Sequence, residues 1–318
     1  MRLLVTGGAG YIGSVVTRLL VAEGHEATVL DDLSTGHADA VPEGVELVTA
    51  DVRDAGRVLE RGGYGGVLHF AAKSLVGQSV TDPSLYWATN VEGTRALLDA
   101  VRAHGVERFV FSSTAATYGE PEEVPIDEDA PTRPTNPYGA AKLAADLMIR
   151  DHAGAYGFAA VSLRYFNVAG ANQGAGERHH PETHLVPNVL AAAMGRREQV
   201  DLFGDDYPTP DGTCIRDYVH VADLARAHLL ALDAADAPGH AVYNLGNGDG
   251  YSVRQVIDTA ERVTGRAIPV RVVARRPGDP ARLVASSARI GRELGWRPEH
   301  GIDRIVADAW DFHAAAGR

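Results

Sequence analysis

Cysteine is almost absent from this sequence, since only Cys214 among its 318 residues carries a thiol. One cysteine cannot close an internal disulfide or build a thiolate metal cluster, so both kinds of scaffold are excluded. Long hydrophobic runs are missing too, because no stretch approaches the roughly 18 apolar residues of a membrane span. The N-terminus reaches Gly7 too early for a signal peptide. We therefore expect a cytoplasmic protein without a membrane partner.

Basic residues are fewer than acidic ones. The 30 Lys and Arg against 42 Asp and Glu give a net charge of −12. This balance disfavours nonspecific binding to nucleic acid, so no nucleic-acid partner is predicted. Glycine is abundant instead: the 35 glycines exceed the usual share of about 7%, which indicates tight turns or close approaches of the backbone to a ligand.

The first half of the chain alternates short apolar runs with helical patterns. The strand-like runs are residues 3–6, 27–30, 45–48, 67–70, 109–112 and 160–164, and the main helical patterns are residues 13–23, 90–104 and 138–156. Strands that are apolar on both faces and alternate with helices predict a parallel sheet covered on both sides. The predicted fold class is α/β, with a doubly wound parallel sheet and a second, smaller α/β domain.

The second half has a different texture, with loops rich in Gly, Asn and His. It carries helical patterns at residues 222–232, 253–264 and 302–313 and a strand-like run at residues 270–273. We predict a nucleotide-binding domain at residues 1–168 and a smaller substrate-binding domain at residues 169–318. Residues 216–235 are predicted to return to the first domain.

A glycine motif follows the first strand-like run. Residues 7–13 read Gly-Gly-Ala-Gly-Tyr-Ile-Gly and lead into a helix, which fits the Rossmann-type dinucleotide fingerprint. Glycines let the backbone approach a pyrophosphate, which the N–H groups at the helix N-terminus then bind. Asp31 lies 18 residues after Gly13 and Asp32 follows it. A carboxylate there would bind the ribose hydroxyls and repel a 2′-phosphate, so NAD is the predicted cofactor.

A tyrosine and a lysine lie four residues apart in the segment NPYGAAK at residues 136–142. On a helix, Tyr138 and Lys142 share one face. A phenol with a pKa of about 10 is a weak base at neutral pH, and a nearby ammonium together with a positive nicotinamide ring would favour the phenolate. Thr114 ends another strand-like run and would hydrogen-bond the reacting oxygen. The neighbouring Ser112 and Ser113 fit strand-end capping equally well.

Taken together, these segments resemble the extended short-chain dehydrogenase/reductase family and, within it, the UDP-glucose 4-epimerases. The resemblance covers the whole chain, and residues 203–225 are its most family-specific part. The matching segments are GGAGYIGS at 7–14, DDLSTGH at 31–37, HFAAKSLVGQS at 69–79, FSSTAATYGEP at 111–121, NPYGAAK at 136–142, LRYFNVAGA at 163–171, PETHLVP at 181–187, FGDDYPTPDGTCIRDYVHVADLA at 203–225, YNLGNG at 243–248, RRPGDPA at 275–281 and LGWRP at 294–298.

The resemblance implies a UDP-hexose substrate, a resident NAD and transient oxidation at C4 of the sugar. It also implies a homodimer paired through residues 90–104 and 138–156. The implied catalytic residues are Tyr138, Lys142 and Thr114. The implied cofactor contacts are Gly7, Gly10, Tyr11, Ile12, Gly13, Asp31, Asp32, Leu33, Ser34, Thr35, Gly36, Asp51, Val52, Phe70, Ala71, Ala72, Asn90, Ser112, Tyr138, Lys142 and Tyr165. The implied substrate contacts are Thr114, Tyr138, Phe166, Asn167, His184, Leu185, Phe203, Arg216, Tyr218, Arg276, Asp279 and Leu283.

Two positions depart from the family pattern. Some members carry a lysine near the nicotinamide where this chain has Ser74, whereas Lys73 stands one place earlier. The cofactor role of both residues therefore stays open. Members restricted to glucose carry Tyr where this chain has the smaller Leu283, and this difference predicts some tolerance of N-acetylated UDP sugars.

Two other functions were weighed against epimerisation. A 4,6-dehydratase of the same family needs an acid–base pair directly after the threonine, where this chain has Ala115 and Ala116. A non-catalytic NAD-sensing protein on the same fold is the other alternative, since fold alone does not give function. The complete set of Thr114, Tyr138 and Lys142 counts against it.

Two further motifs are interpreted as structural. His179, His180 and His184 lie near Glu177 and Glu182, but their spacing is not that of a helical His pair, so no metal is predicted and the segment is interpreted as a substrate-side loop. Residues 246–250 are rich in glycine but lack a βαβ setting, so a loop is predicted there instead of a second nucleotide site.

Overall fold

The computed structural model describes residues 1–276 and 279–315; Pro277 and Gly278 of the segment at 275–281 lie outside the described residues. The strands are β1 (Arg2–Thr6), β2 (Glu26–Asp31), β3 (Glu46–Thr49), β4 (Tyr64–His69), β5 (Arg108–Thr114), β6 (Ala159–Tyr165), β7 (Asn167–Ala169), β8 (Ala171–Asn172), β9 (Ala175–Gly176), β10 (Val200–Phe203), β11 (Ile215–Arg216), β12 (Tyr218–His220), β13 (Gly239–Leu245), β14 (Tyr251–Ser252), β15 (Val270–Val273) and β16 (Arg282–Leu283). The α-helices are α1 (Tyr11–Ala22), α2 (Ala55–Leu59), α3 (Val76–Thr81), α4 (Pro83–Tyr86), α5 (Gly93–Ala103), α6 (Pro137–Tyr156), α7 (Leu185–Ala193), α8 (Val221–Ala234), α9 (Val253–Thr264), α10 (Ala288–Leu294) and α11 (Ile302–Ala315). A π-helical stretch at Trp87–Glu92 precedes α5, and short 3₁₀ turns occupy Ala38–Ala40, Val52–Asp54 and Ala115–Thr117.

One parallel sheet organises the molecule. Its seven strands lie in the order β3-β2-β1-β4-β5-β6-β13, and every neighbouring pair is parallel. The chain reverses its direction of travel across the sheet between β1 and β4. A crevice opens at the carboxyl ends of the strands at such a reversal, and this is where open α/β sheets bind ligands. The predicted α/β class with a doubly wound parallel sheet is confirmed.

Both faces of the sheet are covered, which explains why its strands read as continuous apolar runs. Successive side chains of a strand point to opposite faces. Leu3 and Val5 accordingly belong to one buried cluster, which includes Leu224 of α8. Leu4 belongs to the other cluster, which includes Leu97 of α5. Full burial of a leucine stabilises the fold by roughly 1.5–3 kcal/mol, so both layers anchor the strand ends that carry the site.

A separate hydrophobic cluster forms in the second half, where Val189 of α7, Val256 of α9 and Ile305 of α11 pack together. The helical patterns predicted there coincide with α8, α9 and α11 to within a few residues. Strand β13 differs from the sequence-based division, because it extends the main sheet from within the range given to the second domain. Among the described residues, no helix is both long and apolar enough to span a bilayer.

Candidate active site

The glycine motif turns tightly between β1 and α1. Gly7 has φ +72°, and a Cβ there would lie 2.4 Å from the backbone nitrogen of Ala71. A Cβ on Gly13 would lie 2.2 Å from the carbonyl oxygen of Gly7. Gly10 is the N-cap of α1 and makes no side-chain hydrogen bond, so the first N–H groups of α1, including those of Tyr11 and Ile12, have no side-chain cap. We call this turn, with its three closely approached glycines, the glycine cradle. This cradle fits a pyrophosphate.

Asp31 lies beside this cradle at the end of β2. Its carboxylate accepts hydrogen bonds from the backbone nitrogens of Ala9 at 3.0 Å and Leu33 at 2.9 Å. Burial raises the pKa of the Asp31 carboxyl, and these two hydrogen bonds oppose the shift. Leu33 has φ +57°, which is strained for a leucine. The turn at residues 31–36, which includes Ser34, Thr35 and Gly36, is therefore held in a defined shape next to the glycine loop.

Lys73 reaches across to this turn. Its Nζ donates a hydrogen bond to Ser34 Oγ over 2.8 Å. The amide of Asn90 fixes the Lys73 backbone, because it accepts from the Lys73 nitrogen at 2.8 Å and donates to its carbonyl at 2.9 Å. The sequence left the roles of Lys73 and Ser74 open. Lys73 contacts the turn at residues 31–36, which is predicted to bind the adenosine ribose, whereas Ser74 is exposed.

Other predicted cofactor residues line the same edge of the sheet. The backbone nitrogens of Phe70 and Ala71 donate to the carbonyl of Thr6 at 2.8 and 3.1 Å, which places the segment that leads to Ala72 against β1. Asp51 follows β3 and is bound by the Arg53 guanidinium through two contacts of 2.7 Å. Val52 is 7% exposed and packs in the core. The sheet therefore brings these segments to one edge, although Asp51 is already engaged by a neighbouring arginine.

Helix α6 carries the predicted catalytic pair. It begins where Asn136 Oδ1 accepts from the Gly139 nitrogen at 2.9 Å, and Pro137 occupies its first turn, an arrangement that favours helix initiation. Tyr138 lies in this first turn and Lys142 one turn later. Lys142 is 3% exposed, and its Nζ donates to the Ser112 carbonyl over 2.7 Å.

Thr114 ends β5 and faces the phenol of Tyr138. Its Oγ1 also accepts from the Ala116 nitrogen at 3.2 Å, which caps the following 3₁₀ turn. The carboxyl end of β5 and the first turns of α6 therefore carry the Thr114 hydroxyl, the Tyr138 phenol and the Lys142 ammonium. Ser112 contributes its carbonyl to this arrangement, while Ser113 points elsewhere.

The described residues alone do not produce the phenolate predicted for Tyr138. Burial raises the pKa of the Tyr138 phenol, and the Thr114 hydroxyl opposes only part of that shift. Burial also lowers the pKa of Lys142 to about 8, against the opposing effect of the Asp146 carboxylate. The chain's own groups thus do not bring the phenol toward neutrality, because burial disfavours the phenolate more than the Thr114 hydrogen bond favours it. The predicted phenolate needs the additional positive charge of a nicotinamide.

A buried network behind the site was missed by the sequence reasoning. Asp146 Oδ2 accepts from Ser113 Oγ and from Arg164 Nε, both at 3.0 Å. Arg164 also donates to Tyr118 Oη at 3.1 Å, and that hydroxyl donates to Asn244 Oδ1 at 2.7 Å. These contacts tie α6 to β5, β6 and β13. The only sequence signal was the spacing of four residues from Lys142 to Asp146.

Several predicted substrate residues gather in the second half of the chain. The guanidinium of Arg216 forms an ion pair with Asp279, and Arg276 stacks over the Phe203 ring at 3.8 Å from its centroid. Arg216 is 8% exposed and lies on β11. Two cations at one location suit an anionic diphosphate.

The remaining substrate-side residues connect this group to the catalytic one. Asn167 on β7 pairs with Tyr218 on β12. Leu283 on β16 neighbours Arg216 and packs with Phe166 against the buried cluster that contains Ala115. Tyr165 precedes them at the end of β6 and is 7% exposed, and its hydroxyl has no hydrogen-bond partner among the described residues. The structure thus places Leu283 between the Arg216 strand and the turn after Thr114.

His184 and Leu185 are placed differently from the other predicted substrate residues. Leu185 begins α7 and packs against the second-half core. His184 instead contacts Glu177 and Glu182 through its Nδ1. Although burial opposes the charged form, these two carboxylates raise the pKa of His184 to about 10.

Four side chains converge in this loop, and we call them the Glu-His cluster: Glu177, His179, Glu182 and His184. One possible ligand atom from each lies within 4.8 Å of the others. Turns of the loop bring these side chains together without the helical spacing that the sequence lacks.

Known proteins match this chain over nearly its whole length. Residues 3–246 match the model of the NAD dependent epimerase/dehydratase family. A UDP-glucose 4-epimerase of Corynebacterium glutamicum is 57% identical over 319 residues, which cover 100% of this chain and 97% of that protein. A crystal structure of UDP-glucose 4-epimerase from Brucella ovis in complex with NAD superposes with a TM-score of 0.94 at 46% identity, covering 98% of this chain and 97% of that one. The Bifidobacterium longum enzyme in complex with NAD+ and UDP superposes with a TM-score of 0.95 at 38% identity, covering 100% of this chain and 99% of that one.

Proposed function

The chain belongs to the NAD dependent epimerase/dehydratase family, and on this premise we propose that it is an NAD-dependent epimerase that interconverts UDP-glucose and UDP-galactose at C4 of the hexose. The observation that carries the proposal is the convergence of Tyr138, Lys142 and Thr114 beside the glycine cradle, at the crevice of the sheet. Full-length identity of 57% to a UDP-glucose 4-epimerase supports the same reaction.

The catalytic group suits a reversible proton transfer. NAD, when bound, supplies the two-electron acceptor for C4 of the sugar, and the glycine cradle and Asp31 are suited to hold it. Tyr138 would take the proton of the 4-hydroxyl and return it after the sugar has presented its other face. Thr114 would hydrogen-bond the same oxygen, and the Lys142 ammonium would stabilise the phenolate.

The substrate's diphosphate requires local cations in a chain of net charge −12. Arg216 and Arg276 would supply them, and Asp279 forms an ion pair with Arg216 that orients its guanidinium. The Phe203 ring lies under the Arg276 guanidinium and would orient this exposed second cation through a cation–π contact.

Epimerisation is favoured over 4,6-dehydration by the turn after Thr114. Ala115 and Ala116 follow it in a 3₁₀ turn, and neither side chain can donate or accept a proton. Elimination of water requires an acid and a base at the sugar, so the described turn lacks the chemistry for that reaction.

Three finer features belong to the same proposal. Leu283, smaller than the Tyr of glucose-restricted members, would admit N-acetylated UDP-hexoses. The reaction would place the protein in galactose metabolism in the cytoplasm. A homodimer would pair the faces of α5 and α6. Leu147 and Tyr156 on α6 and Trp87 just before α5 support this pairing, since they are 43%, 49% and 43% exposed and a second copy would bury them.

The decisive experiment incubates the purified protein with UDP-galactose and no added NAD, and follows the appearance of UDP-glucose. Turnover without added cofactor is expected, because a cofactor that is regenerated within each cycle can remain bound. Inactivity both without and with added NAD would refute the proposed function.

A further inference from the structure

The Glu-His cluster combines nitrogen and oxygen ligands at one point. Nδ1 of His179 lies 2.8 Å from Glu177 Oε1, and Nδ1 of His184 lies 2.6 Å from the same oxygen. Nδ1 of His184 also lies 3.0 Å from Glu182 Oε1. Both imidazoles thus direct their Nδ1 atom toward the same carboxylate oxygen of Glu177.

The two carboxylates of this cluster require positive charge nearby, which protons on the imidazoles or one bound cation can supply. The Glu177 side chain is only 5% exposed and that of Glu182 21% exposed. Two largely buried carboxylates are costly unless their charge is compensated. One divalent ion with two neutral imidazoles would balance two carboxylates and leave the cluster neutral.

The donor set also selects the kind of ion. Two imidazole nitrogens and two carboxylate oxygens suit Zn²⁺ and similar transition metals, whereas Mg²⁺ and Ca²⁺ prefer oxygen ligands alone. Zinc with bonds of about 2.0–2.1 Å in a tetrahedron spaces its ligand atoms by about 3.3 Å. The nitrogen–oxygen separations of 2.6–3.0 Å are about 0.3–0.7 Å shorter than that spacing, and all four ligand atoms lie within 4.8 Å of one another.

Backbone groups already orient one of the carboxylates. Glu182 Oε1 accepts from the backbone nitrogens of Thr183 and His184, both at 2.8 Å. Hydrogen bonds that fix a ligand before the ion arrives are typical of metal sites in proteins. We propose that Glu177, His179, Glu182 and His184 form a structural site for one divalent transition-metal ion of the Zn²⁺ type.

The cluster lies in a loop that contacts the residues directly after the turn at residues 31–36. Arg178, between two of the ligands, binds Asp39 through contacts of 2.9 and 2.7 Å, and its carbonyl lies 3.1 Å from Nε2 of His37. His179 lines a small cavity together with Gly10 and Tyr11 of the glycine loop. The ion would therefore fasten the loop over the dinucleotide site and take no part in the chemistry at Tyr138.

The test measures metal binding to the purified, NAD-containing protein with Co²⁺ and Zn²⁺ as probes. Saturable binding of one Co²⁺ per chain is expected, with the intense visible absorption of a four-coordinate site, and Zn²⁺ should displace it. His179→Asn removes one ligand and should weaken Co²⁺ binding by at least about tenfold. His180→Asn is the matched control, because His180 is the exposed neighbour outside the cluster, and it should bind Co²⁺ as the wild type does.

A second variant, Glu182→Gln, covers the case in which His179→Asn fails to fold, and gel filtration identifies that case. The alternative occupant of the cluster is a proton shared between imidazole and carboxylate. If the wild type binds no Co²⁺ saturably, or if His179→Asn and Glu182→Gln bind it as tightly as His180→Asn, the cluster is bridged by protons and the proposal is wrong. Because no sugar is present in these titrations, their outcome is independent of the proposed epimerase activity.

Discussion

Lys142 donates a hydrogen bond from its Nζ to the backbone carbonyl of Ser112 over 2.7 Å, across the gap between α6 and β5. The ammonium is thereby held near the face of the Phe111 ring, 4.7 Å from its centroid. It is fixed in place with almost no exposure to solvent, and Asp146 one turn further along α6 favours its charged form. The orientation of this lysine depends on the strand as much as on its own helix.

The pH dependence of turnover should report the charge of Lys142. Burial lowers the pKa of this lysine to about 8, so the ammonium that would stabilise the Tyr138 phenolate is present below that pH and is lost above it. We expect kcat/KM to fall as the pH rises through about 8. Lys142→Arg keeps its charge to above about pH 12, and its profile should lack this fall even where its rate is lower. An unchanged alkaline fall in Lys142→Arg would assign it to another group.

Tyr138→Phe should abolish most turnover without loss of the cofactor. Removal of a general base costs typically about 10²–10⁴-fold, whereas the glycine cradle and Asp31 are untouched by the change. Initial rates with UDP-galactose and the NAD content per chain are the two measurements. Tyr156→Phe, at the exposed end of the same helix, is the control and should retain wild-type rates. Full activity of Tyr138→Phe would remove the phenol from the mechanism.

Asp31→Asn should weaken the preference for NAD over NADP. The carboxylate is oriented by the Ala9 and Leu33 nitrogens, so it would face the ribose and repel a 2′-phosphate. Loss of its charge should shift the ratio of the two dissociation constants by about tenfold, equal to 1.4 kcal/mol. Titration of nucleotide-free protein with each dinucleotide measures this ratio. Glu43→Gln removes an exposed carboxylate outside the predicted cofactor contacts and should leave the ratio unchanged; an equal shift in both variants would place the specificity elsewhere.

Asp146→Ala should destabilise the protein far more than a surface change on the same helix. It leaves the guanidinium of Arg164 buried with no carboxylate partner, since the side chains of this pair are 8% and 3% exposed. Such a loss costs about 3–5 kcal/mol. Asp151→Ala breaks an exposed pair with Arg150 and should cost less than about 1 kcal/mol. Urea denaturation of both variants measures the free energies of unfolding, and comparable values would show that the buried pair contributes little.

The fold of the first half could be predicted because its information is local. A strand buried on both faces appears in the sequence as an apolar run. The glycines at positions 7, 10 and 13 predict a tight turn that larger residues would not allow. Tyr138 and Lys142 could be paired because four residues make one turn of a helix. The apolar run of β5 also predicts where that strand ends, and this places the hydroxyl of Thr114 at the carboxyl end of the sheet.

Contacts that depend on which segments meet could not be read in this way. Strand β13 pairs with β6, but its short polar–apolar pattern does not show which strand it pairs with. The reach of Lys73 to Ser34 spans 39 residues of chain, and the Glu-His cluster forms through turns whose course no periodicity predicts. The rise in the pKa of Tyr138 could not be anticipated either, because burial is a property of the assembled site.

Substrate breadth should depend on the side chain at Leu283. This residue packs with Phe166 against the cluster that contains Ala115, and its strand neighbours Arg216, so a larger side chain there would project between the proposed sugar and diphosphate positions. We expect the wild type to turn over UDP-N-acetylglucosamine. Leu283→Tyr should lower kcat/KM for this substrate relative to UDP-glucose by roughly 10–200-fold, which is the usual effect of one extra group in a hydrophobic pocket. Leu283→Met conserves the volume and should leave the ratio of the two substrates unchanged. If the wild type does not turn over the N-acetylated sugar, or if Leu283→Tyr lowers both activities equally, the residue does not limit substrate size and the pocket for the N-acetyl group lies elsewhere.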